Sequence, residues 1–432
     1  MKIGIINHGC AKNLIDSELM LGMLAKEGYE LTLGDDAPII IINTCSFIHD
    51  AEKESVRSIL EMIEQNKKVI VTGCLPQKHQ EDLIEALPEV VAFLGTTDCS
   101  KIVDVIKKLD KTKNVIKEIS TNPCYTYPED IERQQITIGA SSYIKIAEGC
   151  NYKCGYCIIP QLRGKYASRS IENITKEAKN LVKKGVSEVI LIAQDTTYYG
   201  MDIYKKPSLS SLIKELNKIE DLNWLRIMYA YPSMMTDELL DTIAQSEKVV
   251  KYIDIPLQHS HPEMLKAMQR PIFDYKSLIN KIRDKIPDIT LRSTFIVGYP
   301  TETEEHFEHL YNFIEETKFD RMGVFEYSKE KNTLSYSQKP HIKASIKKQR
   351  KKQLMALQQK ISYNINQSFI GQKIPSIVET IDHKGTITAR TYRDAPDIDG
   401  VIYIKTKDFF APGDIITPKV IKANEYDLFG EI

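Results

Sequence analysis

Short apolar runs alternate with amphipathic stretches over residues 1–120. KIGIIN, PIIIIN, KKVIVT and VVAFLG are rich in β-branched residues and lack polar alternation, as strands buried on both faces do. Helical patterns fall between them, around 15–27, 50–65 and 80–87. Strand and helix alternating at this spacing predict a parallel sheet with helices on its faces. Residues 121–135, polar with two prolines, read as a linker. From about 141 the alternation resumes through SYIKIA, SEVILIA, NWLRIMYA, KYIDIPL, ITLRSTFIVG and MGVFEYS. Six βα-type units are too few for an eight-fold barrel and suit a partial, open one. After 366 the period shortens to alternating segments separated by Gly, Pro and Asp, the pattern of a small antiparallel barrel of about five strands. The expected fold class is therefore α/β: a parallel α/β domain over 1–122, a partial (βα)6 barrel over 136–365 and a small β-barrel over 366–432.

Composition changes this picture little. The 432 residues are 42% hydrophobic and 27% charged, with a formal net charge of −1, so no global pull toward polyanions exists. No apolar run approaches the roughly 18 residues of a membrane helix, and the start MKIGIINHGC lacks a signal-peptide core. A cytosolic chain with reduced thiols is expected, where clustered cysteines mean metal or catalysis. Residues 339–360 hold eight Lys or Arg and no acid, either a solvated linker helix or a phosphate-contacting face. The 366–432 segment is slightly acidic, with eight Lys or Arg against ten Asp or Glu.

The cysteines carry the chemistry. Cys150, Cys154 and Cys157 form C-x3-C-x2-C in AEGCNYKCGYCIIP, just beyond the first strand of the βα series. Zinc would want a fourth ligand nearby, and none is present in sequence. Three thiolates can instead hold three irons of a [4Fe-4S] cubane, leaving the fourth iron for an exchangeable ligand. Cys10, Cys45 and Cys74 each lie just past an apolar strand of the first domain. Parallel strands of one sheet end on one edge, so three loops can bring these thiolates together. Cys99 and Cys124 lack that placement and are expected to be non-ligands.

The C-x3-C-x2-C spacing with aromatic Tyr156 before its last cysteine resembles the radical S-adenosylmethionine enzymes. Both cysteine triplets and the domain order resemble the methylthiotransferases, whose C-terminal part is a TRAM domain. The stretches LIAQDTTYYG, LRIMYAYP, YIDIPLQHSHPEMLKAMQR and RMGVFEYSKEKNT are most similar to the branch that modifies an aspartate of a ribosomal protein. The resemblance implies two [4Fe-4S] clusters and S-adenosyl-L-methionine, used as radical source and methyl donor. It implies ribosomal protein S-twelve as substrate, with methylthiolation at an aspartate β-carbon, and an electron donor such as flavodoxin or ferredoxin. No side chain acts as acid or base in that chemistry, because an unactivated C–H bond calls for hydrogen-atom abstraction. The two cluster sites would face each other. The rival within the family is a transfer-RNA adenosine methylthiotransferase, against which the acidic C-terminal segment argues. A non-catalytic iron–sulfur carrier would close its clusters with four cysteines.

By the same resemblance Tyr156, Gln194, Asp195, Gln258, Ile296, Val297 and Gly298 are candidates for the cofactor site. Gln194 and Asp195 would face the methionine end, and Ile296, Val297 and Gly298 would flank adenine. Each has an alternative as a turn or cap residue; Asp195 before Thr196 and Thr197 is one. His259 and His261 read as loop polar residues rather than a metal pair. One departure from the family pattern stands out: Thr301 takes the place of the second glycine of Gly-Phe-Pro-Gly-Glu-Thr.

Overall fold

The computed structural model describes residues 1–46, 49–124, 127, 132–136, 139–406 and 408–432. The expected linker, 121–135, lies partly outside the described residues. Two compact units form: residues 1–138 with 147–152 and 158–167, and residues 139–146 with 153–157 and 168–432.

In the first unit, β1 (Lys2–Asn7), β2 (Glu30–Leu33), β3 (Ile39–Thr44), β4 (Lys68–Gly73), β5 (Ala92–Leu94) and β6 (Ile116–Glu118) form one parallel sheet in the order β2-β1-β3-β4-β5-β6. Six strands stand where four were expected. The two extra ones, β2 and β6, are short edge strands without a long apolar run. Helices α1 (Ala11–Lys26), α2 (His49–Glu64), α3 (Cys74–Ala86) and α4 (Ile102–Leu109) connect the strands. Helix α3 starts at Cys74 rather than near 80, with a break at Gln80 (φ 43°), and α4 lies outside the expected helices. Every residue of β3 is buried, because helices cover both faces. Ile40, Ile42, Val69, Val71 and Phe93 anchor one core layer, each burial contributing about 1.5–3 kcal/mol.

The second unit contains β7 (Ser141–Lys145), β10 (Glu188–Ile192), β11 (Trp224–Ile227), β12 (Val249–Asp254), β13 (Thr290–Val297) and β14 (Arg321–Glu326), all parallel in the order β14-β13-β12-β11-β10-β7. Two-residue strands β8 (Ala147–Glu148) and β9 (Ala167–Ser168) fall in the loop after β7. The loop after β7 also carries α5 (Ile159–Arg163), which belongs to the first unit; the second unit's helices are α6 (Ile171–Lys183), α7 (Leu209–Leu216), α8 (Asp237–Gln245), α9 (Pro262–Ala267), α10 (Tyr275–Lys285), α11 (Glu304–Thr317), α12 (Leu334–Ser337) and α13 (Ala344–Gln367). The basic segment thus runs into α13. That helix buries Arg350, Leu354, Leu357, Gln358 and Ile361 and leaves Lys348, Lys352 and Lys360 exposed.

The C-terminal sheet holds β15 (Ser376–Ile381), β16 (Thr386–Thr391), β17 (Ile402–Lys405), β18 (Ile415–Ile416), β19 (Lys419–Ala423) and β20 (Leu428–Glu431), ordered β18-β15-β16-β17-β20-β19. It has six strands rather than about five. One pair, β17 with β20, is parallel, a long-range pairing that local alternation does not reveal. Charged residues of this region reach the N-terminal ends of the parallel strands: Arg390 pairs with Glu188, Arg393 with Asp320, and Asp394 with Arg321. The opposite, C-terminal ends of those strands stay available for chemistry.

Candidate active site

The first cysteine set sits on one sheet edge. Asn7 pairs with Asn43 and Thr44 with Gly73 across neighbouring strands β1, β3 and β4, so Cys10, Cys45 and Cys74 all follow the same edge. Polar side chains lock that edge. Asn13 Nδ2 donates to the Thr44 carbonyl at 2.8 Å, and Asn43 Nδ2 returns a bond to the Asn13 carbonyl at 2.8 Å. Thr44 Oγ1 donates to the Thr72 carbonyl at 2.6 Å and accepts the Leu75 N–H at 3.2 Å. Gly73 is required here: its φ is +96°, and a Cβ would collide with Asn43 Oδ1 and lie 2.6 Å from the Thr44 carbonyl oxygen.

Cys10 is the N-cap of α1 and Cys74 opens α3. Helix N-termini stabilise thiolate, the form that binds metal. Burial pushes the Cys74 thiol up, while the neighbouring Arg163 guanidinium pulls against it. Ser55 Oγ accepts the Cys45 N–H at 3.1 Å. Three sulfur donors on one edge, two of them at helix N-termini and one beside a buried cation, fit an iron–sulfur group. Cys99 is buried in a 3-10 turn (Cys99–Lys101) and Cys124 is exposed; neither follows a strand of this edge.

The second set divides between the units, Cys150 in the first and Cys154 and Cys157 in the second. The Cys157 N–H donates to the Cys154 carbonyl at 3.0 Å, the tight turn that C-x2-C allows. Arg270 Nη1 lies 4.0 Å from Cys154 Sγ, and its guanidinium stacks 4.3 Å over the Tyr231 ring. Burial pushes the Tyr156 phenol well above its ordinary value, with Arg270 opposing and the sulfurs of Cys154 and Cys157 adding. Tyr156 stays neutral. It packs with Ile296 against buried Met264, Met268, Tyr299 and Tyr327, an apolar wall at the strand ends.

The remaining expected residues occupy the same ends. Asp195 Oδ1 accepts the Thr197 N–H at 2.8 Å, the Thr197 hydroxyl at 2.5 Å and the Tyr198 N–H at 3.2 Å, so this oxygen serves the turn after β10. Gln194 beside it is half-buried. Gln258 has φ +73°, held there because its N–H donates to Thr294 and its carbonyl accepts from Ile296. Tyr229 at the end of β11 also has φ +60°. Non-glycine residues in this region cluster at ligand sites. Gly298 has φ +73°, and the space on its Cα is filled by the Lys347 methylenes; its N–H donates to the Glu302 carboxylate.

Thr301, the departure from the family pattern, has φ +73°. A β-branched residue there costs about 1–2 kcal/mol, and glycine would relieve that while losing part of it to unfolded-chain entropy. Thr301→Gly is expected to stabilise the protein by about 1 kcal/mol, read as a higher urea midpoint at unchanged slope.

Sequence reasoning missed a histidine corner. Ligand atoms of His261, Glu263 and His306 lie within 4.8 Å of one another. His259 Nδ1 accepts the His261 N–H at 3.0 Å, His261 Nδ1 accepts the Glu263 N–H at 3.3 Å, and His306 Nδ1 accepts the Thr303 N–H at 3.2 Å. A neutral imidazole carries one proton, so each of these rings holds it on Nε2. His306 Nε2 donates it to the Glu263 carboxylate at 3.2 Å. A metal would need that lone pair, so the group is a hydrogen-bonded corner. The available signal was Thr303-x-x-His306, which forms a capping box at the start of α11.

Comparison with known proteins gives the family. Profiles match the Radical SAM superfamily over residues 144–314, an uncharacterized protein family (UPF0004) over 2–95 and the TRAM domain over 370–432. Curated relatives named ribosomal protein uS12 methylthiotransferase RimO match at full length. That of Thermoanaerobacter sp. (strain X514) is 48% identical over 99% of both chains, and that of Caldanaerobacter subterraneus subsp. tengcongensis is 49% identical over the same shares. The chain belongs to the RimO family of methylthiotransferases. Among solved structures, the radical S-adenosylmethionine methyltransferase TsrM from Kitasatospora setae aligns with TM-score 0.58 at 14% identity, covering 75% of this chain and 72% of that one. The cobalamin-dependent enzyme OxsB aligns with TM-score 0.52 at 13% identity, over 78% and 54%. These two share the fold. The C-x3-C-x2-C loop of this RimO-family chain falls within the Radical SAM match, and Cys10, Cys45 and Cys74 all fall within the UPF0004 match. No helix among the described residues is long and apolar enough to cross a membrane.

Proposed function

We propose that this chain methylthiolates the β-carbon of an aspartate in ribosomal protein uS12. The observation that carries the reading is full-length identity of 48–49% to RimO relatives, joined to one cysteine triplet just past parallel strands β1, β3 and β4 and a second in the loop after β7. In this reading Cys150, Cys154 and Cys157 hold one [4Fe-4S] cluster and Cys10, Cys45 and Cys74 hold a second. When bound, the clusters and S-adenosylmethionine supply a 5′-deoxyadenosyl radical for hydrogen abstraction and a methylated sulfur for transfer. The protein's own work is placement. Gln194, Gln258 and the backbone of Ile296, Val297 and Gly298 orient the cofactor, with Tyr156 beside the cysteine loop. The wall of Met264, Met268, Tyr299 and Tyr327 keeps water and stray reductant away. A flavodoxin or ferredoxin fits as the electron donor.

The transfer-RNA alternative needs cations free to meet phosphate. Of the eight in the slightly acidic C-terminal segment, Arg390 and Arg393 are buried in ion pairs with Glu188, Glu379 and Asp320. The exposed lysines of α13 weigh the other way. Reconstituted protein should be reacted anaerobically with uS12 and adenosine-modified transfer RNA side by side, followed by intact-mass and peptide spectrometry. One methylthio increment on an aspartate of uS12 is expected, with the RNA unchanged. The reverse pattern would overturn the substrate assignment.

A further inference from the structure

Arg163 ends α5 and is 2% exposed. Its Nη1 donates to Glu148 Oε2 at 2.8 Å and to Asp16 Oδ2 at 3.3 Å. Its Nη2 donates to Asn13 Oδ1 at 2.5 Å and lies 3.7 Å from Cys74 Sγ. The same Asn13 Oδ1 accepts from Cys10 Sγ at 3.6 Å. A guanidinium that merely pinned a loop would be satisfied by its two carboxylates. This one turns its other edge to the sulfur of one cysteine and to the amide that holds a second. All of these residues belong to the first unit.

Asp16 and Glu148, both buried, face Arg163, and buried Lys12 is the other cation acting on Cys10. Buried carboxylates beside gathered sulfur ligands repel them, and a guanidinium aimed at the sulfur offsets that repulsion. Hydrogen bonds and positive charge at cluster sulfurs raise a cluster's reduction potential and hold its ligands in place. We propose that Arg163 is a positioning residue for the sulfur-carrying centre: it donates to Cys74 and raises the reduction potential of the cluster on Cys10, Cys45 and Cys74. This rests on the reading that those cysteines hold a cluster.

The test is a potentiometric titration, followed by electron paramagnetic resonance, of the full chain carrying both clusters. Signals are assigned with the Cys150→Ala, Cys154→Ala, Cys157→Ala protein, which keeps only the first-unit centre. In Arg163→Gln the reduced-to-oxidised ratio of that centre should fall about tenfold at the potential where wild type is half reduced, equal to about 59 mV for one electron. The other centre should titrate unchanged, and Arg163→Lys, which keeps the charge, should stay within about threefold of wild type. An Arg163→Gln protein with full iron and an unshifted first-unit centre overturns the proposal. If Arg163→Gln fails to fold or load iron, Asp16→Asn, which removes a negative charge from the same guanidinium, decides instead: a raised reduced-to-oxidised ratio of the first-unit centre supports the proposal and an unshifted one overturns it. An assignment protein that binds no iron refutes the cluster reading itself, a separate result.

Discussion

Cys74→Ala should abolish methylthiolation of uS12 while S-adenosylmethionine cleavage continues, and Cys154→Ala should abolish both. Cys74 directly follows β4 in the first unit, whereas Cys154 lies in the loop after β8 in the second, so removing one ligand leaves the other set's scaffold intact. Cys154 belongs to the loop whose cluster would reduce the sulfonium; without it no radical forms and nothing downstream occurs. Cys74 belongs to the set assigned to sulfur delivery, so its loss uncouples cleavage from transfer. Changing residues that only support metal ligands typically costs 10–100-fold, so loss of a ligand should lower product by at least about a hundredfold. Iron should fall from about eight to about four per chain in either variant. Deoxyadenosine is read by chromatography and the product by mass. Equal loss of cleavage in both variants would show that the first set is not a separate centre.

The parts legible in the sequence were those with a local cause. The run IIIIN can only be a doubly buried strand, and cysteines placed just past such strands mark a sheet edge without further information. Register and long-range pairing carry no such signature. Strand β6 is three residues, Ile116–Glu118, and the parallel partnership of β17 with β20 joins segments more than twenty residues apart. Buried charge was equally hidden. Arg163, Arg226, Arg350 and Arg390 read as surface cations by residue type, yet each is fixed inside by carboxylates distant in sequence. The left-handed turn at Thr301 was signalled only by the missing glycine, and the histidine corner needs a capping box that sequence usually writes with Glu or Gln.

The most consequential of those buried charges is Glu188, at the start of β10 and 0% exposed. Arg226 Nε donates to one carboxylate oxygen at 2.7 Å; the Ser141 hydroxyl at 2.7 Å and Arg390 donate to the other. Through Arg390 the carboxylate ties the C-terminal sheet to the parallel strands. Glu188→Ala is expected to destabilise the second unit by about 3–5 kcal/mol, because two buried guanidinium groups lose their shared anion. Replacing all three charged side chains by apolar ones (Glu188→Leu, Arg226→Met and Arg390→Leu together) should recover much of that loss, since a buried ion triad gains little over good apolar packing. The pH dependence follows from the same contacts. Burial pushes the Glu188 carboxyl up, but Arg226 and Arg390 outweigh it and hold it at about 2, against an ordinary 4.5. A depressed carboxylate contributes stability that is fully present above pH 4.5 and drains away as pH falls toward 2, here about 3 kcal/mol. Urea unfolding at about pH 7 and about pH 3 should therefore show a steeper acid loss for wild type than for Glu188→Gln. Parallel acid profiles for the two proteins would mean that Glu188 carries no such coupling and that the C-terminal sheet is held by other contacts.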